Sequence, residues 1–276
     1  MSKRPDDMLL LDGALEFHCV ELQVAGGNLV AYTCRDPYKK TEKEDTVAII
    51  PCGPEAAVFV VADGAGGLPA GKRASLTAVE TLAASLQRAK DKTTSLRTAI
   101  LNGIEAANVA VLEIGNGSAT TLTVISIEGR SVRSYQIGDS EAIVIGQRGL
   151  VKMQTTVHSP TGFAVEAGFL DEREALHHDL RHLVSNFIGT IDMGIDVGAA
   201  VELDLKDTIL VASDGLTDNV HVDEIIELVR KGPLADAMSA TVNFANRRML
   251  MPGAGQPSKP DDLSLILFRK PKCSSI

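Results

Sequence analysis

The chain has 276 residues, of which 45% are hydrophobic, 23% charged and 4% aromatic, with no tryptophan and a formal net charge of −9. That length can bury a large core, and with so few aromatics the core must be packed mainly with Val, Ile, Leu and Ala. An acidic chain without a dense Lys/Arg run lacks the cations that displace counterions from a phosphate backbone. This excludes a sequence-independent nucleic-acid binder and argues against docking on anionic lipid.

The apolar run at 8–11 is too short for a signal-peptide core and stops at Asp12. No stretch approaches the roughly 18–20 apolar residues of a membrane span. Cys19, Cys34, Cys52 and Cys273 form no CxxC pair, so reduced thiols and a cytoplasmic location are expected. Residues 16–24 and 28–34 read as two strands joined by a hairpin at Ala25-Gly26-Gly27. The charged stretch 36–45 reads as a loop. Short β-branched runs at 46–50 and 56–62 flank a turn at Pro51-Cys52-Gly53-Pro54, and their near-continuous apolar character predicts strands covered on both faces.

Helical spacing of Leu76, Val79, Leu82, Ala83 and Leu86 predicts one helix. The same spacing of Leu96, Ile100, Ile104, Ala107 and Val111 predicts a second, with Thr94 as its N-cap. Segments 120–127, 131–137 and 141–145 read as an antiparallel meander. The polar segment 171–180 (DEREALHHDL) reads as a short exposed helix. Strands are expected at 200–203 and 208–212, helices at 222–229 and 233–250, a Gly/Pro loop at 251–260 and a last strand at 263–268. Strands and helices interleave without a linker, which predicts one domain over 1–276 with two packed sheets.

Two stretches carry the chemistry. Residues 57–64 (AVFVVADG) and 208–215 (TILVASDG) are apolar strands that end in Asp-Gly. A strand end holds Asp63 or Asp214 in a fixed place, and glycine lets the backbone turn closely around an ion. Either copy alone is an ordinary turn signal. Asp45, Asp139 and Asp261 also stand at strand edges, however, and such a carboxylate rim calls for hard cations with oxygen ligands.

Five stretches, in order, make the chain resemble the metal-dependent protein phosphatases of the protein phosphatase 2C class. They are Lys43-Glu44-Asp45, residues 61–67 (VADGAGG), residues 138–142 (GDSEA), residues 212–218 (ASDGLTD) and Asp261-Asp262-Leu263-Ser264, with Ala119-Thr120-Thr121-Leu122 between the second and third. The match spans about 31–268 and looks like that of a bacterial, single-domain member. The resemblance implies an α+β fold, a four-layer α-β-β-α sandwich of two mainly antiparallel sheets with a metal site in a cleft at one end. It implies a serine/threonine phosphatase that hydrolyses phosphomonoesters of protein substrates with a hydroxide bridging two Mn²⁺ or Mg²⁺ ions.

By motif position Asp63 would bridge the ions and the Gly64 carbonyl would ligate one. Asp214 and Asp261 would bind the other, Asp45 would act through a coordinated water, and Asp139 would help hold a weaker third ion. Lys40 would bind the substrate phosphate where the family has Arg, without the bidentate fork. Arg35 is a possible substitute. Ala65 stands where many members have His, Lys43 where Asn is usual, and Asp262 where Asn is usual. Residues 159–183 match the variable flap. His158 reads as a packing or surface residue, and His178 and His182 as part of the exposed helix. A monomer without nucleic-acid or membrane partners is expected. A pseudophosphatase acting as a regulatory binding module, and a phosphatase of small metabolites, remain alternatives.

Overall fold

The computed structural model describes residues 8–12, 17–65, 70–89 and 94–271. Gly66, Gly67 and Cys273 of the sequence reading lie outside them. Thirteen strands run in chain order: β1 Leu9–Leu11, β2 Phe17–Val24, β3 Gly27–Cys34, β4 Thr46–Gly53, β5 Ala56–Ala62, β6 Leu122–Glu128, β7 Ser131–Ile137, β8 Glu141–Ile145, β9 Val151–Gln154, β10 Asp196–Val197, β11 Val201–Glu202, β12 Thr208–Ala212 and β13 Leu263–Arg269. These strands and seven helices are those of the described residues, the helices being α1 Gly71–Ala89, α2 Leu96–Ile114, α3 Pro160–Glu166, α4 Glu172–Ala175, α5 Asp214–Thr217, α6 Val222–Val229 and α7 Leu234–Leu250.

The strands form two antiparallel sheets. One has the order β1-β4-β5-β6-β7-β10, with β11 also on β7; the other has the order β2-β3-β13-β12-β8-β9. Alternation along each strand divides the core. Ala57, Phe59 and Val61 of β5 face Ile209, Val211, Ile266 and Phe268 of the other sheet; Phe59 and Phe268 bring their ring centroids to 5.2 Å. The opposite face of β5, Val58, Val60 and Ala62, packs on α1 and α2 through Val79, Leu82, Ile100 and Ile104. Leu210 and Ala212 of β12 pack in the same way on α6 and α7 through Ile225, Val229, Met238 and Val242. Each central strand is therefore covered on both faces, and the layers are helix, sheet, sheet, helix, as the resemblance implied.

Five local expectations change. The segment 120–145 is not one meander: β6 and β7 pair in the first sheet, but β8 pairs with β12 and β9 in the second. The turn at Gly138-Asp139-Ser140 carries the chain across, and strands apolar on both faces give no periodicity that marks the change. β4 continues through Pro51 and Cys52 to Gly53, with a register shift there, so the turn is shorter than expected. The N-cap of α2 is Ser95, whose side chain accepts from Thr98 N, not Thr94. α4 stops at Ala175, so His178 and His182 stand in turns rather than on one helical face. The 8–11 run supplies β1, an edge strand on β4. No described helix is long and apolar enough to cross a membrane, and Cys19, Cys34 and Cys52 form no disulfide.

Candidate active site

Strand register alone brings the acidic positions to one end of both sheets. Thr46 pairs with Ala62, Val61 with Thr123, and Leu122 with Ile137, so Asp45, Asp63 and Asp139 leave the first sheet together. Ala212 pairs with both Leu265 and Glu141, so Asp214 and Asp261 emerge beside them from the second. Side chains tie the two sheet ends together. Ser213 Oγ donates to Asp45 Oδ2 at 2.9 Å, and Thr121 Oγ1 and Ser140 Oγ share a hydrogen bond of 2.9 Å.

Each turn is fixed by its own neighbours. The Asp63 carbonyl accepts from Thr121 N at 2.8 Å and from Thr120 Oγ1 at 2.7 Å, while Asp63 N donates to Thr121 Oγ1 at 3.0 Å. This is the work of the Thr120-Thr121 pair. The Asp139 turn is held by Gln136 Nε2 on Gly138 O at 3.1 Å and by Thr123 Oγ1 on Ser140 O at 2.9 Å. His158 closes it, accepting from Gly138 N and donating its own backbone N–H to Gly138 O. Its ring lies 6.0 Å from that of Phe163, and burial lowers its pKa, so His158 is a packed and positioning residue rather than a surface one.

Both Asp-Gly glycines are positions of close backbone approach. A Cβ on Gly64 would stand 2.3 Å from Gly71 O, and one on Gly215 would stand 1.9 Å from Asp262 O. Neither turn has room for a side chain.

The carboxylates share one field. Burial, and then Asp262, raise the Asp45 carboxyl to about 7, against hydrogen bonds from Ser264 and Ser213 that lower it. Burial raises the half-buried Asp63 well above the usual range, followed by the charges of Asp45, Asp214, Asp261 and Asp139. Asp139 is raised by burial and by Asp214 and Asp218, and Asp261 reaches about 7 through burial and Asp214. Asp45 Oδ1 and Asp214 Oδ1 are buried without a hydrogen-bond partner. Orphaned, mutually repelling carboxylate oxygens are what a bound cation would satisfy, and an all-oxygen donor set suits Mg²⁺ or Mn²⁺. Among the described residues no three acidic, His or Cys side chains close a ligand cage by themselves.

The other residues singled out in the motifs lie around this rim. Lys40 is exposed on the loop before β4 and makes no ion pair among the described residues, while Lys39 turns inward to Glu44 Oε2 at 2.6 Å and Asp262 Oδ2 at 3.1 Å. Asp262 is a buried clamp, accepting from Asp36 N at 2.8 Å and Glu44 N at 2.7 Å. Lys43 is buried and donates to Thr33 Oγ1 at 2.6 Å; burial lowers its pKa against the nearby charges of Asp45 and Asp262. The sequence reading passed over Lys259, whose Nζ contacts Asp214 Oδ2 and lies 2.9 Å from Asp218 Oδ2 and 3.4 Å from Asp261 Oδ2. Its only signal was a lone cation two residues before Asp261.

A cleft of about 560 Å³ opens beside the carboxylates, lined by Asp139, Asp214 and Asp218 on one side and by Gly162, Arg173 and Arg181 of the 159–183 segment on the other. Glu141 is buried in its wall, held by Gln154 Nε2 at 2.7 Å and raised to about 7 by burial.

The profile of the family described as Protein phosphatase 2C matches residues 38–251. Protein phosphatase PhpP of Streptococcus pneumoniae is 31% identical over 217 residues, covering 75% of this chain and 87% of its own. The serine/threonine phosphatase stp of Listeria monocytogenes is 27% identical over 203 residues, covering 68% and 78%. Among solved structures, the serine/threonine phosphatase Stp1 from Staphylococcus aureus superposes with a TM-score of 0.75 at 25% identity, over 87% of this chain and 94% of its own. With the fold, the ordered motifs and this coverage together, the chain belongs to the protein phosphatase 2C family.

Proposed function

We propose that this chain is a Mn²⁺- or Mg²⁺-dependent phosphatase of phosphoserine and phosphothreonine in proteins, acting in the cytoplasm, with 1–276 as one catalytic domain. The observation that carries the reading is the convergence of Asp45, Asp63, Asp139, Asp214 and Asp261 at one end of the two sheets, with buried oxygens of Asp45 and Asp214 unpartnered. Asp63, the Gly64 carbonyl, Asp214 and Asp261 would hold two ions, and Asp139 would help hold a weaker third. Bound divalent ions supply Lewis acidity, which acidifies water and offsets charge on phosphoryl oxygens.

The chain's own residues do the rest. Asp45, held through Oδ2 by Ser213, offers Oδ1 as an acceptor that orients water toward the phosphorus. The Thr120-Thr121 pair fixes the Asp63 turn, so its carboxylate need not reorganise as charge develops. Residues 159–183 act as the flap that shapes substrate access to the cleft. Lys40, exposed on its loop, is free to swing toward a docked phosphate.

The test is hydrolysis of p-nitrophenyl phosphate and of a phosphothreonine peptide, with and without Mn²⁺, by wild type and Asp63→Asn. Turnover that needs Mn²⁺ and is lost in the variant supports the reading. Metal-independent turnover, or an unimpaired variant, sinks it. Clean protein that binds Mn²⁺ but hydrolyses neither substrate points to a binding module.

A further inference from the structure

Along β8 the side chains alternate between two layers. Ala142 and Val144 face the other sheet, while Ile143 and Ile145 pack on α6 and α7. Glu141 opens the strand on the same side as these two isoleucines, at the end where the helix layer gives way to the cleft between α6 and residues 159–183. A carboxylate thus stands where the strand pattern would otherwise continue the core. It is only 4% exposed, yet it lines the cleft.

Its position is fixed by the neighbouring strand. Ala142 N donates to Thr155 Oγ1 at 2.9 Å and Thr155 N donates to Ala142 O at 3.0 Å, which sets Gln154 beside Glu141. Gln154 Nε2 donates to Glu141 Oε1 at 2.7 Å. Oε2 has no hydrogen bond, and the carboxylate no ion pair, among the described residues. Taking a carboxylate out of water is costly, and one neutral amide offsets little of that cost. Both arginines that line the cleft are engaged elsewhere: Arg173 Nη2 lies 2.6 Å from Asp223 Oδ2, and Arg181 donates to the carbonyls of Leu176 and Ser258. Glu166 and Glu172 add negative charge to the same walls, likewise without an ion pair among the described residues. The cleft therefore presents a buried acceptor that neither of its arginines reaches.

We propose that this cleft is a substrate subsite for a lysine near the phosphorylated residue, with Glu141 as the specificity-determining carboxylate that receives its ammonium. The inference rests on the protein phosphatase reading above. Asp139 and Asp214 line the metal-side end of the same cleft, so a phosphoryl group held there leads the flanking peptide past Glu141. At ~3.5 Å per extended residue, a side chain within about three positions is in reach. Lysine fits better than arginine, because Gln154 already occupies one oxygen of Glu141 and leaves a single acceptor. A point charge needs one acceptor, and a guanidinium fork needs two.

The test is kcat/KM of the Mn²⁺-loaded enzyme on phosphothreonine peptides that carry lysine, acetyl-lysine, arginine or glutamine at each flanking position, with p-nitrophenyl phosphate in parallel. At one position wild type should favour lysine over acetyl-lysine and glutamine by about tenfold, as one charge-assisted hydrogen bond in a partly wet site would give. Glu141→Gln should bring that ratio close to one. Gln154→Ala frees the second oxygen and should raise arginine relative to lysine. Each readout is a ratio within one protein, so a general loss of rate does not imitate it, and the acetyl-lysine comparison needs no variant. Equal rates for lysine and acetyl-lysine at every position, or the full preference in Glu141→Gln, would overturn the inference, while Mn²⁺-dependent turnover of p-nitrophenyl phosphate would still uphold the phosphatase reading. Mn²⁺-dependent turnover of neither peptides nor p-nitrophenyl phosphate would overturn both.

Discussion

Ser213 and Asp45, 168 residues apart, are joined by a hydrogen bond of 2.9 Å that locks the end of one sheet to the end of the other. Ser213 leaves β12 one residue before Asp214, and Asp45 precedes β4, so this single bond sets the spacing between two of the candidate ligand segments. Its cost is electrostatic: it holds a carboxylate in a buried place beside Asp262.

That cost has a measurable pH dependence in the metal-free protein. Asp45 and Asp261 are raised in the folded state to about 7, against about 4 in an unfolded chain. Between those values the folded state binds more protons than the unfolded one, so metal-free stability falls as pH rises from about 4 to about 7 and levels off above. Thermal melts in EDTA should show this decline, and Mn²⁺ added at neutral pH should reverse it. Ser213→Ala removes a bond that lowers the Asp45 value, so its decline should extend to higher pH. A melting temperature that instead rises across the window in EDTA would contradict this electrostatic picture.

Asp63→Asn separates stability from function. The side chain is surrounded by four other carboxylates, so removing its charge should stabilise the metal-free protein at neutral pH. A gain of about 1 kcal/mol would read as roughly 2–4 °C in melting temperature. The sign follows from the raised pKa: the gain should shrink as pH falls toward about 4 and vanish below it, where the wild-type carboxyl is protonated in both states. In the same variant the stabilisation by Mn²⁺ should be largely lost. A variant less stable than wild type without metal would show that Asp63 is held by contacts rather than strained by charge.

Asp63 and Asp214 were legible in the sequence because both the strand and its breaker are local: an apolar run ends in Asp-Gly, and the packing at Gly64 and Gly215 leaves no room for a Cβ. The layered fold was legible for the same reason, since runs such as 56–62 are apolar at every position and need cover on both faces. Lys259 was not legible. What places it is Asn219, 40 residues earlier, and the loop between Asn219's clamp and α7 carries no periodicity. The passage of β8 into the second sheet was hidden likewise, because sheet membership depends on partners such as Ala212 rather than on the strand's own pattern. Lys40 shows a further limit: the family resemblance assigns it a role, but the inward turn belongs to Lys39, decided by the buried carboxylate of Asp262.

Asn219→Ala should be strongly destabilising for a side chain that touches no substrate. It removes three hydrogen bonds, to Gly215 O and to both backbone groups of Lys259, and leaves those groups to find new partners. A loss of about 2–3 kcal/mol is expected from urea unfolding. The variant should also weaken the ion pairs of Lys259 with Asp214, Asp218 and Asp261. An unchanged unfolding midpoint would mean that the clamp is dispensable.

Asp262→Asn tests whether the second aspartate of the pair is a clamp or a ligand. Two backbone donors, Asp36 N and Glu44 N, each bind a different oxygen of Asp262, and Lys39 Nζ binds one of them as well. Asparagine offers one oxygen, so its NH₂ must face one of those donors. A buried N–H left unpaired costs about 1–3 kcal/mol, and the loop before β4 should loosen as a result. Hydrogen exchange should then quicken at Asp36 or Glu44, and the melting temperature should fall, while Mn²⁺ affinity changes little. Loss of Mn²⁺ binding with unchanged exchange would reverse the assignment and make Asp262 a ligand. Combining the variant with Lys39→Met should be less than additive, because both substitutions dismantle the same pair.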